Sequence, residues 1–273
     1  MTMLEALFLG IVQGLTEFLP VSSSGHLVLF SHLLGVKEPS LVFETVVHGG
    51  TLVAVLIVLR KDVSLLAESF LKIIRKPSEI GRHLAADPGS YLFFSVVLAT
   101  LPVAVLALVF KGWIERLFLS SVLVGFMLLV TGTVLFVTDR LRPRLKKMAE
   151  LSVWDLLIIG DGQAAAILPG ISRSGTTIGA GLALGLRRED AARFSFLLSI
   201  PAILGALIFA GKDLLAGSTA LPAGPLLVGF ASSAFTGYLA IRLLLNLIKQ
   251  GRLIWFSYYT WVVGVVVIIL NIF

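Results

Sequence analysis

The chain has 273 residues, 57% of them hydrophobic and only 14% charged, with a mean hydropathy of +0.99. That leaves too little polar surface to cover a water-soluble fold, so the composition specifies an integral membrane protein. The net charge of +6 does not imply nucleic acid, because the basic residues fall in short loops between apolar runs, and the absence of cysteine excludes disulfides, thiolate metal sites and a thiol nucleophile.

The first apolar segment, residues 3–34, lacks a basic n-region and is expected to be retained rather than cleaved. It is interrupted by Ser22-Ser23-Ser24-Gly25-His26, just after Pro20, which leaves a flank at 27–34 too short to cross a bilayer. Helix, polar turn, helix is the expected form. Segments 41–59, 91–110 and 119–137 then approach the roughly 20 residues that a crossing needs. The basic stretch 60–90 between the first two is expected to be partly helical along the membrane surface. Residues 153–186 repeat the opening pattern, with Ser172-Arg173-Ser174-Gly175-Thr176 following Pro169. Crossings at 194–210, 221–247 and 253–273 complete the chain, the last carrying an aromatic group (Trp255, Phe256, Tyr258, Tyr259, Trp261) expected at the interface.

Basic residues decide between crossing and turning back. With both interrupted segments re-entrant, 17 Lys and Arg collect on one side and four, Lys37, Lys111, Arg116 and Lys212, on the other; with both crossing, the counts become 12 and nine. The positive-inside bias therefore favours re-entrant hairpins and both termini outside. The halves also match at an offset of 150: Gly10 with Gly160, Gln13 with Gln163, Ser22 with Ser172, Ser24 with Ser174 and Gly25 with Gly175. Each copy holds one hairpin and three crossings, and an odd number of crossings inverts the second copy. The expected architecture is thus an all-α polytopic membrane protein of six transmembrane helices and two re-entrant helical hairpins. These form one membrane domain over 1–273, built of inverted repeats at about 1–138 and 151–273.

Polar backbone at bilayer depth is tolerated only where it is buried in protein or lines a cavity, so the two bends mark a site. Gln13 and Glu17, four apart, share a helical face before the first bend. A carboxylate there needs a partner, a proton or a metal, and Glu17 is the candidate ligand for a divalent cation, with Gln13 offering a neutral oxygen. Ser22, Ser23, Ser24, Gly25 and His26 offer hydroxyls, close backbone N–H groups and an imidazole, which suits chemistry at phosphorus. The serines read equally well as helix caps. Arg173, whose charge is permanent, calls for a buried phosphate or an ion pair with Glu17, with Ser172, Ser174, Thr176 and Thr177 as further donors. Glu44 and His48, also four apart, are expected to support the cavity or to be simply hydrogen-bonded; Asp161 has no obvious partner.

The run from Gln13 to His26 resembles the first signature of the bacterial undecaprenyl-pyrophosphate phosphatases of the bacitracin-resistance type, and the run from Pro169 to Thr177 resembles the second. The similarity extends over essentially the whole chain. It implies removal of the terminal phosphate from a C55 polyprenyl pyrophosphate, with Mg²⁺ or Ca²⁺, at an outward-facing site in the bacterial cytoplasmic (inner) membrane. By position it implies Glu17 as the essential carboxylate, Gln13 where many members carry a second glutamate, Ser23 as nucleophile or phosphate ligand, His26 as catalytic partner and Arg173 as phosphate clamp. Ser172, Ser174 and Thr177 become supporting contacts. The implied partners are the polyprenyl pyrophosphate and the bilayer, with no nucleic acid; a homodimer is compatible with the sequence. The competing class is a transporter or flippase of anionic polyprenyl lipids, since inverted repeats with broken helices serve transport as well.

Overall fold

The computed structural model describes residues 1–36, 41–110, 112, 117, 120–141, 145–215 and 222–272. Among these, the chain forms twelve α-helices, which satisfy nearly every backbone group internally, as lipid requires. The first interrupted segment is α1 (Met3–Phe18) and α2 (Ser23–Leu33); the second is α8 (Val153–Ala165) and α9 (Arg173–Ala183). Between them lie α3 (Leu41–Val58), α4 (Arg60–Arg75), α5 (Ile80–Ala86), α6 (Pro88–Val109) and α7 (Ser121–Asp139). The C-terminal part holds α10 (Arg188–Leu215), α11 (Ala223–Lys249) and α12 (Ile254–Ile272).

Five helices are long and apolar enough to cross a membrane, α6, α7, α10, α11 and α12, and a sixth span arises if α3 is counted with α4, which bends away from it by 93°. All six expected crossings therefore coincide with helices. The expected ends at Leu119, Leu221 and Phe273, and the basic residues Lys37, Lys111, Arg116, Arg142 and Arg144, lie outside the described residues. The basic stretch is helical as expected: α4 and α5 occupy it, and Arg193 of α10 grips the Asp62 carboxylate of α4 with one nitrogen at 2.6 and 2.8 Å from its two oxygens.

The two halves begin with the same devices. Thr2 accepts the Glu5 N–H at 3.2 Å while the Glu5 carboxylate accepts the Thr2 N–H at 2.8 Å; Ser152 and Asp155 make the same pair of bonds at 3.2 and 2.7 Å. α2 is capped by Ser22 accepting from the Gly25 N–H at 3.3 Å, and α9 by Ser172 accepting from the Gly175 N–H at 3.1 Å. The packing is reciprocal. α1 lies along α11, and α8 along α6, each at a glycine: a β-carbon on Gly10 would strike the Ser232 hydroxyl, and one on Gly160 would stand 2.7 Å from the Ala99 carbonyl. The bends differ in how they turn. In the second, Gly170 takes φ 99 where a side chain would meet the Val124 carbonyl; in the first, Ser22 itself adopts φ 71, a conformation costly for any residue but glycine.

Candidate active site

Both bends and the facing surfaces of α3, α6, α8 and α10 enclose a cavity of about 370 Å³. Its polar end is built around Glu17, in the last turn of α1. Glu17 Oε1 accepts from Arg173 Nη2 at 2.7 Å, and Oε2 accepts from the Ser23 hydroxyl at 2.8 Å and from Gln13 Nε2 at 3.0 Å. One carboxylate thus ties together α1, α2 and α9. The pair of charges is almost sealed from solvent, which makes removal of either partner far more damaging than the pair is stabilising. Arg173 is further oriented by Nη1 donating to the Ser195 carbonyl of α10 at 3.0 Å, which leaves part of its planar fork facing the cavity. Phe18 and Phe196, next in sequence to Glu17 and Ser195, meet edge to face at 5.5 Å and fix α1 against α10.

The second bend is held from two sides. The Ser172 N–H donates to Thr131 Oγ1 at 3.0 Å, and that hydroxyl donates to the Gly170 carbonyl at 2.8 Å, so α7 pins the turn that presents Arg173. Ser174 donates to the Leu19 carbonyl at 3.2 Å, a direct tie between the two bends. Thr177 bonds the Ser195 hydroxyl at 2.6 Å and the Arg173 carbonyl at 2.7 Å.

Of the site residues expected from sequence, Glu17, Ser23, Ser24, Ser172 and Arg173 line the cavity, and Gln13 touches it through Glu17. Ser22, Gly25, Ser174 and Thr177 do not line it; they cap α2 or hold the bends together. His26 is also placed elsewhere. Its Nδ1 bonds the Ser22 carbonyl and its Nε2 the Tyr259 hydroxyl, both at 2.8 Å, and its ring stacks on Tyr259 at 5.6 Å, facing a separate cavity between α2 and α12.

His48 is the residue whose importance the sequence understated. It lines the cavity, with Nδ1 donating to the Glu44 carbonyl at 2.7 Å and Nε2 lying 3.6 Å from Glu17 Oε2. The four-residue spacing to Glu44 was its signal, but the bond runs to the backbone and not to the carboxyl. Gln163, Thr16 and Ser195 were not assigned roles; Gln163 stood out only as the repeat match of Gln13, and Thr16 and Ser195 only as polar residues in apolar helices. Asp161 is exposed on α8, away from the cavity, and nothing in the structure explains it.

A divalent cation would have to be held by the Glu17 carboxylate and Gln13 Oε1, a buried amide oxygen with no hydrogen-bond partner. Among the described residues no three His, Cys, Asp or Glu cluster for a metal. One carboxylate and one amide fit Mg²⁺ or Ca²⁺ only when phosphate oxygens and water complete the shell.

Apolar helices of spanning length, closed around a carboxylate, a hydroxyl and a guanidinium, define a multi-pass membrane protein with a buried polar centre suited to an anion. Residues 6–266 match the family of the bacitracin resistance protein BacA, and the chain belongs to that family. It is 45% identical to an undecaprenyl-diphosphatase of Methanobrevibacter smithii over 98% of this chain and 97% of the relative. Identity is 42% to an undecaprenyl-diphosphatase of Carboxydothermus hydrogenoformans, covering 99% and 98% of the two chains, and 42% to that of Alkaliphilus metalliredigens, covering both completely.

Proposed function

We infer that this chain hydrolyses undecaprenyl pyrophosphate to undecaprenyl phosphate and inorganic phosphate, the activity its near full-length relatives are named for. The observation that carries the reading is the Glu17 carboxylate bonded at once to Ser23 and Arg173 on the wall of an otherwise apolar cavity. The pyrophosphate draws part of the Arg173 fork away from Glu17 and gains a bidentate partner. Ser23 Oγ attacks the terminal phosphorus while Glu17 Oε2, 2.8 Å away, takes its proton; the bridging oxygen leaves with the polyprenyl monophosphate. Glu17 passes that proton to the departing monophosphate; as a carboxylate again it takes a proton from the water that attacks the phosphoserine, and returns it to Ser23 Oγ as inorganic phosphate leaves. Arg173, the Ser172 and Ser24 hydroxyls and the first-turn N–H groups of α2 and α9 face the charge that develops. His26 holds the Ser22 carbonyl and so the turn that carries Ser23. Glu17 and Gln13 would hold a Mg²⁺ or Ca²⁺ delivered with the substrate, and when bound it neutralises phosphate charge.

The same reading has the two helix pairs re-entrant and the repeats inverted, with the cavity opening to the outer face of the cytoplasmic membrane of the cell. The duplicated capping boxes and the reciprocal packing of α1 on α11 and α8 on α6 support it. Assembly as a homodimer belongs to it too, with light scattering of the detergent complex as its measurement. Purified protein in detergent is expected to release inorganic phosphate from C55 pyrophosphate, and an Arg173→Ala variant to release about 10²–10³-fold less. Binding of the lipid without release would instead make the chain a carrier.

A further inference from the structure

The cavity does not end at its polar wall. Beyond Arg173 it runs between α6 and α10, where Val103 and Ala107 sit four apart on one helix face and Ala202 and Ala206 four apart on the other. Ile203, only 4% exposed, lies at the inner end, while Ala107 and Ala206 are exposed at the outer end. The slot is therefore graded from sealed to open, and it opens on the outside of the helix bundle. Each wall carries a proline immediately before its first slot residue, Pro102 before Val103 and Pro201 before Ala202. A proline inside a helix removes one backbone hydrogen bond and bends the axis, and alanines leave the walls short of side-chain volume, so the two helices stay apart here.

We propose that this slot takes the first isoprene units of the substrate's polyprenyl chain, making Ala107, Ala202 and Ala206 the residues that set specificity for a prenylated over an unprenylated pyrophosphate. The proposal rests on the phosphatase reading. Its occupant follows from continuity: a pyrophosphate held by Arg173 has its ester oxygen, and hence its hydrocarbon, within the same cavity, and the remaining walls are apolar. The larger apolar groove of about 910 Å³ between α7 and α9 offers more room, yet Glu17, Ser23 and Arg173 do not line it. A tail lying there would be out of line with the headgroup.

Phenylalanine at position 206 or 107 fills the slot. Ala206→Phe and Ala107→Phe are expected to raise KM for C55 pyrophosphate about tenfold or more with kcat retained, whereas Val130→Phe, in the α7–α9 groove, leaves KM unchanged. Unchanged KM in both slot variants, or a rise confined to Val130→Phe, overturns the proposal. Should the bulky variants misfold, the chain's lack of cysteine provides a second measurement. In Ala206→Cys the single thiol is expected to react with a benzyl methanethiosulfonate several-fold more slowly when a non-hydrolysable polyprenyl methylenediphosphonate is present, and at the same rate with methylenediphosphonate alone. No slowing by the prenylated compound overturns the assignment. Wild-type protein that releases no phosphate from C55 pyrophosphate defeats the phosphatase reading instead, and the thiol protection still reports where the tail lies.

Discussion

Glu17 is the residue on which the centre turns, because its two oxygens divide the work: Oε1 faces Arg173, Oε2 faces Ser23, Gln13 and His48. Two consequences can be measured by phosphate release. Ser23→Ala removes the oxygen proposed to attack and is expected to lower kcat at least about 10³-fold with little change in KM; near-normal turnover would exclude the serine as nucleophile. Arg173→Lys keeps the charge but loses the planar fork that spans Glu17, the Ser195 carbonyl and a phosphate, so kcat/KM is expected to fall by about 10² or more, and a variant with wild-type kcat/KM would show that the fork is not needed. Both bends were legible because serine, glycine, histidine and arginine stand out within apolar sequence, and the structure brings both to one cavity. What could not be read was direction. Whether Ser22 turns its hydroxyl to cap a helix or toward a phosphate depends on a backbone angle, and whether His26 faces the cavity depends on where α12 brings Tyr259.

Helices follow from local signals, and so do the predictions that concern them. Ser152 caps α8 and its partner Asp155 closes the capping box, so Ser152→Ala is expected to cost about 1 kcal/mol and to lower the melting temperature seen by tryptophan fluorescence, with activity changed much less. Gly10 and Gly160 are where α1 meets α11 and α8 meets α6; leucine at either position would force those helices apart and is expected to abolish folded protein in detergent, whereas alanine at half-buried Gly205, where an added β-carbon meets nothing within 4 Å, is tolerated. Asp87 caps α6, and hydrogen bonds from Ser90 and then from Lys72 hold its carboxyl below the ordinary aspartate value. Its folded pKa is depressed, so the stability it adds is present above the unfolded value and is lost as pH falls through the folded one. The melting temperatures of wild type and Asp87→Asn are expected to differ near neutral pH and to converge in acid.

At the scale of the molecule, the proposed cation would need phosphate oxygens and water besides Glu17 and Gln13, since among the described residues no three His, Cys, Asp or Glu cluster. A chelator is therefore expected to suppress turnover while leaving the melting temperature of the substrate-free protein unchanged; a drop in that temperature would mean a tightly held resident metal. The inverted arrangement is testable in the same spirit. Thr2→Cys and Ser152→Cys, at equivalent caps of the two repeats, are expected to react with an impermeant thiol reagent from opposite sides of sealed vesicles, and labelling from one side only would refute inversion.

The sequence by itself determined the solvent, the six apolar segments, the two polar interruptions and their repetition at a fixed offset, because hydropathy, capping and turn chemistry act over a few residues and leave a local record. Tertiary structure alone decided which of those polar groups share a cavity. Arg173 meets Glu17 across 156 positions and His26 meets Tyr259 across 233, while His48 enters the centre from a helix whose pattern gave it only a neighbour four residues back. Such pairings are set by how distant helices pack against each other, through glycine contacts and shared carbonyls, and no short window of sequence contains both sides of them.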